Sequence, residues 1–331
     1  MPSALLSLLQ RKNMITNNTN LGLPLQLFMV HSDYDHINEP KYISATSLLS
    51  PVRATVLKSR IKSVDLDLLD LQAAAIGTAS HDRLEKAFSN GNYILNMKKL
   101  GYPQNVIDSI VINPVEVKDG QTPIYLEKRS IMPLNGFKIG GKFDFVGEGI
   151  VRDLKTTKIF KWLKGDFDDY IKQGSIYRWL NQDIITEDYM YIDFMFTDWK
   201  AFEAQANPKY PQASAISKKL PLMSIEDTKQ FIIGKTNQIN QQMALPDAEL
   251  IRCADSELWM DAPKFAYYKN PTAKRSTKNY DNSAEAHARL MNDGGVGRVE
   301  ERKSEPKRCN WCVKDHCSQA QQYILDGILK Q

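Results

Sequence analysis

The stretch Gly136-Phe-Lys-Ile-Gly-Gly-Lys-Phe-Asp-Phe-Val-Gly-Glu-Gly-Ile-Val-Arg-Asp-Leu-Lys155 constrains the fold of this chain more than any other. Two apolar runs, one around Phe143 and Phe145 and one over Ile150 to Thr156, flank Gly147-Glu148-Gly149. Glycine accepts positive φ without steric cost, so this spacing predicts two strands joined by a tight hairpin. A two-residue loop at Glu148-Gly149 would set Asp144 directly opposite Asp153, and a three-residue loop would offset them by one. Period-2 alternation puts Asp153 and Lys155 on one face of the second strand, with Leu154 on the other. Two carboxylates facing one another across strands repel, an arrangement that stability alone does not select.

A divalent cation between them turns that repulsion into chelation. Hard oxygen ligands suit Mg²⁺, which keeps several waters and draws further ligands from phosphates. Lys155 then adds a fixed positive charge that can orient an attacking water, assist its deprotonation and stabilise a pentacovalent phosphate. The plain alternative is an exposed hairpin whose Asp and Lys face water, because a D-L-K tripeptide by itself is common. Asp144, placed ahead of the glycine turn, weighs against that alternative.

The rest of the chain reads as mixed helix and strand. A 3.6-residue pattern runs from Asp65 to Phe88 and again from Phe167 to Asn181. Over Lys118 to Lys158 Pro and Gly punctuate alternating segments, which reads as strands joined by tight turns; Tyr189 to Trp199 reads as a buried strand, and Ser224 to Met243 reads as a helix. Ile43 to Ser50 leads through Pro51 into a short helix. Residues 1–42 form an N-terminal extension without a strong period, 43–245 the core, and 246–331 a polar, basic C-terminal module. The 331 residues are 42% hydrophobic and 25% charged, which excludes a disordered or collagenous chain. No window approaches the roughly 20 apolar residues of a membrane helix. The N-terminus lacks the pattern of a secretory signal, and four cysteines are too few for a secreted scaffold. The expectation is a soluble cytoplasmic protein with no membrane partner.

Two helical segments carry polar pairs at i, i+4 spacing. His81 and Glu85 share a helix face with Leu84 and Phe88, so they border the apolar stripe, where His81 would be a metal ligand or a group positioned by Glu85. The competing view is a satisfied structural histidine. Gln173 and Tyr177 repeat the spacing 18 residues beyond Lys155. An amide and a phenol can bond near a phosphate without adding charge, or they can be an ordinary boundary pair.

Read in order, G-x-x-x-H-x-x-x-E (Gly77, His81, Glu85), G-x-x-D (Gly141, Asp144), D-L-K (Asp153, Lys155) and Q-x-x-x-Y (Gln173, Tyr177) resemble the RecB-like branch of the PD-(D/E)XK nucleases, across roughly Ile43 to Trp199. The resemblance implies an α/β (α+β) fold with a restriction-endonuclease-like core, a central mixed sheet flanked by helices, that cleaves DNA phosphodiesters with Mg²⁺ or Mn²⁺. Asp144 and Asp153 match the metal carboxylates, the backbone carbonyl of Leu154 a third ligand, and His81 the additional metal-binding histidine. Lys155 matches the catalytic lysine, and Glu85, Gln173 and Tyr177 the supporting residues. Glu127, in Tyr-Leu-Glu-Lys, is a further candidate carboxylate.

All four cysteines lie in the C-terminal third: Cys253, then Cys309, Cys312 and Cys317 in a C-x₂-C-x₄-C array. Three thiols within nine residues point to a metal centre. Zinc would be held by the four cysteines, or by three with His316. One remote thiol plus a close trio is similar to the nucleases related to AddB and to the CRISPR-adaptation exonuclease, where a 4Fe–4S cluster staples the C-terminal segment onto the nuclease body. Those families place the remote cysteine ahead of the nuclease motifs, whereas Cys253 follows them, and this departure keeps zinc in play. Arg252-Cys253, Glu257-Leu-Trp259, Tyr267-Tyr268 and the run from Glu301 to Cys309 also resemble the tail of RecB-like bacteriophage exonucleases.

Net charge is +4, which says little about partners. Between Lys264 and Arg308, however, eleven Lys or Arg stand against six Asp or Glu. This local excess of five is either a solvated surface or a footprint for a polyanion. Together these features lead to the expectation of a phage-encoded DNA exonuclease acting in recombination, replication or DNA degradation, with phage recombination or replication proteins as partners. An endonuclease or single-strand-specific nuclease of the same fold, an inert metal-stapled DNA-binding protein, and a structural metalloprotein are the alternatives.

Overall fold

The structure, a computed structural model, describes residues 15–32, 37–61 and 65–330. It divides into two compact units: Met1–Leu49 with Lys62–Asn237, and Ser50–Ile61 with Gln238–Gln331. The first fourteen residues of the N-terminal extension lie outside the described residues.

The first unit carries strands β1 (Ile15–Thr16), β2 (Tyr42–Ser44), β3 (Leu66–Asp67), β4 (Ile110–Ile112), β5 (Thr122–Leu126), β6 (Arg129–Leu134), β7 (Phe137–Lys142), β8 (Phe145–Gly147), β9 (Ile150–Thr157), β10 (Tyr189–Phe196) and β11 (Ala215–Pro221). Six of them form the central sheet in the order β11-β10-β9-β8-β5-β4. It is mixed: β9 runs parallel to β10 and antiparallel to β8, while β10 and β11 are antiparallel. The strands of a smaller sheet, β2-β7-β6, are interleaved with them along the chain, and β1 pairs with β3. Alternation explains β10, where Met190, Ile192, Phe194 and Phe196 are all buried on one face.

Helices flank the sheet because β9 offers contacts on both faces. Ser80, on the long helix Leu68–Phe88, is hydrogen-bonded to Thr156 at 3.2 Å. Helix Asp168–Leu180 instead meets Asp153 through Gln173. Residues of opposite parity on a strand face opposite sides. The long helix starts at a capping box, with Asp67 accepting from Leu69 N–H and Asp70 accepting from Asp67 N–H. Part of the N-terminal extension is packed: Met29, on helix Leu23–Val30, is buried with Leu66, Leu68 and Leu71. The run Leu-Pro-Leu-Gln-Leu-Phe-Met-Val places Met29 and Val30 against that cluster without a regular stripe, so periodicity did not signal it.

The hairpin takes the two-residue loop. Gly147 pairs with Ile150 and Phe145 with Arg152, leaving Glu148 and Gly149 at the turn with φ of 52° and 75°. Both central residues in the left-handed region fit a hairpin turn matched to strand twist. A Cβ at Gly149 would also lie 2.1 Å from Thr186 Oγ1. The strand expected across Phe143 and Phe145 breaks at Phe143–Asp144. There the chain leaves the small sheet at Lys142 and enters the central one at Phe145.

The second unit contains helix Val52–Arg60 and an antiparallel sheet of β12 (Lys264–Tyr268), β13 (Lys278–Tyr280) and β14 (Arg298–Arg302), with β12 central. Helix Ser283–Asn292 packs on this sheet with Ala286 buried. Two short 3₁₀ turns, Lys307–Trp311 and Lys314–His316, lead into helix Ser318–Leu325. Among the described residues, no helix is long and apolar enough to cross a membrane.

Gly141 tests the packing beneath the site. A Cβ there would sit 2.9 Å from the Tyr177 ring and 2.9 Å from Leu180 Cδ1. Gly141→Ala should therefore cost about 1–3 kcal/mol of stability through overpacking. Urea unfolding checks this, and an unchanged midpoint would show that helix Asp168–Leu180 does not press on β7 as described.

Candidate metal and nucleic-acid site

The hairpin brings its two carboxylates to the centre of the first unit. Extending the β8–β9 register by one residue from the Phe145–Arg152 pair places Asp144 opposite Asp153. Both are buried, Asp153 to 1% exposure, on a strand face shared with Val151. Two such acids in an apolar sheet would be costly unless cations or hydrogen bonds answered them.

Four groups do so. His81 Nδ1 lies 3.2 Å from Asp144 Oδ2, and the Leu154 N–H donates to that same oxygen at 2.8 Å. Lys155 Nζ is ion-paired with Asp153 Oδ2. Gln173 Nε2 donates to Asp153 Oδ1 at 3.3 Å and to the Tyr177 hydroxyl at 2.7 Å. Asp153 Oδ2 has no hydrogen-bond partner; Lys155 reaches it as a charge, without hydrogen-bond angles. The i, i+4 spacing of Gln173 and Tyr177 thus forms a hydrogen-bonded chain on one helix face, ending on the Asp153 carboxylate.

Protonation follows from burial against charge. Burial opposes a charged His81, but the hydrogen bond and charge of Asp144 outweigh it and raise its pKa. Burial pushes Asp144 up, yet His81, Lys155 and the Leu154 N–H hold its carboxyl below the usual range. For Asp153 burial prevails over Lys155 and its pKa is raised. Burial lowers the Lys155 pKa less than Asp153 and Asp144 raise it, so it stays an ammonium.

Glu127 completes the cluster. Ligand atoms of His81, Glu127 and Asp144 all lie within 4.8 Å of one another, the one such group of three among the described residues. Glu127 adopts φ 49°, its N–H donates to the Asp144 carbonyl at 3.1 Å, and its carboxylate pairs with Lys142. A non-glycine residue in the left-handed region is strained and is held there by its surroundings. Glu85 differs from expectation. It is exposed one turn beyond His81, and the partner that orients the imidazole is Asp144. Tyr170, which motif reading missed, places its ring centroid 5.8 Å from Lys155 Nζ, and burial pushes its phenol up to about 12. Its spacing of three from Gln173 and seven from Tyr177, along the same helix face, was the available signal.

In the second unit, Cys253, Cys309, Cys312 and Cys317 line one cavity together with Arg53 and Arg308, and all four thiols are free. Among the described residues, no three of the sulfurs lie within 4.8 Å of one another. Gln319, itself buried, accepts from Cys253 N–H at 2.8 Å and donates to its carbonyl at 3.0 Å, so helix Ser318–Leu325 clamps the remote cysteine's backbone. Burial pushes the Cys253 and Cys309 thiols up to about 12. A donor set of four sulfurs around one cavity fits a thiophilic metal centre, which would displace those protons. His316 sits in the turn between Cys312 and Cys317 and does not line the cavity.

No protein-family model and no curated protein match this chain. Among solved structures it is similar to SSO0001, with 16% identity, 64% of this chain and 81% of that one covered, and a TM-score of 0.38. It is also similar to a candidate exonuclease from Eubacterium rectale, with 13% identity, 57% and 66% covered, and a TM-score of 0.26. Both likenesses are faint, and the chemistry of the site rests on its own residues.

The His81–Asp144 pair has a measurable signature in metal-free protein. Because the folded pKa of His81 is raised from its ordinary 6.5, its contribution to stability is full below pH 6.5 and is lost as pH rises through the folded value. Asp144, lowered from 3.8, contributes above that pH and loses its contribution as pH falls through its folded value. NMR titration in chelator should place His81 above 6.5 in the wild type. Asp144→Asn should move it down, since burial then acts with less opposition. A His81 that titrates identically in both would dissolve the pairing.

Proposed function

We propose that this chain is a metal-dependent deoxyribonuclease of the RecB-like PD-(D/E)XK kind, an exonuclease encoded by a phage and acting in recombination, replication or degradation of DNA. The carrying observation is the pair Asp144 and Asp153, buried side by side on a hairpin with Lys155 and His81 against them. A fold that stabilised only itself would not bury two acids side by side there.

The donor set suits Mg²⁺ or Mn²⁺, with Asp144 and Asp153 as carboxylate ligands, the Leu154 carbonyl as a further oxygen, and His81 and Glu127 closing the other side. A bound cation of this kind supplies a water of lowered pKa and offsets phosphate charge. Lys155 presents an ammonium beside the same carboxylates, where it orients the attacking water and stabilises charge on the phosphate oxygens. Gln173 fixes the rotamer of Asp153 and is itself fixed by Tyr177. Tyr170, kept as a neutral phenol, bounds the lysine without competing for its charge.

The second unit is read as a metal–thiolate module with a basic face for the DNA backbone. A close trio of cysteines with one remote thiol suits a 4Fe–4S cluster, with zinc held by the same four sulfurs as the alternative. Lys274 and Arg275 are exposed on the segment that joins β12 to β13. Side chains of this class bind phosphates without reading sequence. Reversing both charges should weaken DNA binding and reduce the salt slope by about 1 for each phosphate that is no longer neutralised. An unchanged slope would leave the basic face without a role.

Digestion tests the activity itself. End-labelled linear duplex and covalently closed circles are incubated with Mg²⁺ or chelator, using wild type and Lys155→Ala. The expected outcome is metal-dependent loss of linear DNA only, slowed about 10²–10⁴-fold by the substitution. Cutting of circles would make the enzyme an endonuclease. Folded, metal-replete protein that binds DNA and cuts neither substrate would overturn the catalytic assignment.

A further inference from the structure

We infer that Arg53 is a positioning residue for the four-thiol centre: its guanidinium donates to the Cys317 sulfur and ties together the two chain segments that carry the cysteines. This rests on the reading of the cysteines as metal ligands.

Arg53 stands on helix Val52–Arg60 and is 2% exposed, 264 residues from Cys317 in sequence. Its Nε–H donates to Cys317 Sγ at 3.2 Å. Nη1 donates to the Leu250 carbonyl at 2.9 Å, and Nη2 to the Asp247 carbonyl at 2.9 Å and to Ser318 Oγ at 2.8 Å. Nη2 is also ion-paired with Asp247 Oδ1, while Asp247 Oδ2 accepts from the Ser318 N–H at 2.6 Å. One side chain therefore fixes Asp247–Leu250, three residues before Cys253, and Cys317–Ser318 at the other end of the array.

Simple cross-linking of the chain does not require a guanidinium. Burying one is costly even when it is paired, and although Asp247 answers its charge from one side, neutral donors would reach the two carbonyls and the hydroxyl equally well. An Nε–H aimed at a metal-bound sulfur makes a charge-assisted bond, and such bonds are about twice as strong as neutral ones. Four thiolates around a zinc ion or a 4Fe–4S core leave the centre anionic, and Arg308 and Lys314 line the same cavity as further positive charge. Groups that bond to metal ligands in this way set ligand orientation and metal retention.

The test uses full-length protein purified without oxygen, as wild type, Arg53→Lys and Arg53→Met. Zinc, iron and acid-labile sulfide are measured per chain, followed by the rate of metal loss to a chromogenic chelator. The melting temperature of each chelator-stripped protein is recorded alongside. The inference expects Arg53→Met to release metal about 10–100-fold faster than wild type, with Arg53→Lys between them because it keeps the charge and loses the fork. If iron is present, the midpoint potential should fall in Arg53→Met, since a cation donating to sulfur favours the reduced centre. A role in packing alone would lower the stripped protein's melting temperature and leave chelator release and potential unmoved, which would overturn the inference while sparing the metal centre. Should Arg53→Met fail to fold, Arg53→Lys decides: release at the wild-type rate overturns the inference. Wild-type protein that carries neither zinc nor iron, and takes up neither, removes the centre itself and the role of Arg53 with it.

Discussion

Everything distinctive about the first unit follows from burying two carboxylates next to each other. Asp144 and Asp153 meet because a two-residue hairpin closes at Glu148-Gly149, and they remain ionisable because His81, Lys155, Gln173 and the Leu154 N–H surround them. Each neighbour comes from a different part of the chain. The long helix supplies the imidazole, the second hairpin strand the ammonium and amide N–H, and helix Asp168–Leu180 the carboxamide. Take away the acids and there is no reason for these groups to converge.

The surrounding structure is arranged to hold that convergence still. The β7–β8 break at Phe143–Asp144 turns Asp144 out of one sheet just before the chain joins another, which frees its side chain for Leu154 and His81. Close approach of Tyr177 to Gly141 seats the buried helix at the depth where Gln173 reaches Asp153. Trp162, Phe167, Tyr170, Phe194 and Phe196 form an aromatic layer beside Lys155, with ring centroids 5.6–6.4 Å apart from ring to ring. Such packing walls one side of the half-buried ammonium with the Tyr170 ring.

The local part of this site was legible in the sequence. Glycines bracketing Glu148 define the turn, the turn defines the register, and i, i+4 spacing puts His81 and the Gln173–Tyr177 pair on helix faces. What local spacing could not carry was tertiary. Glu127 joins His81 and Asp144 only because its backbone is forced to positive φ at the end of β5, and no motif records that. Glu85 has the same spacing from His81 as Tyr177 from Gln173, yet it points to solvent, since a helix face fixes who is adjacent and not what covers it. Likewise, helix Val52–Arg60 precedes the nuclease-like motifs in sequence but packs within the unit that holds the cysteines, a grouping made by Arg53 through hydrogen bonds to residues almost 200 positions away or more.

The central claim is that the buried acid pair exists for a divalent cation, and Mn²⁺ binding measures this most directly. Metal-free protein is titrated with Mn²⁺ while the loss of the free-ion electron paramagnetic resonance signal is followed, for wild type, Asp144→Asn and Asp153→Asn, with circular dichroism to confirm folding. The account predicts stoichiometric uptake by wild type that either substitution abolishes. Folded wild type that takes up no Mn²⁺, or uptake that survives both substitutions, would contradict it.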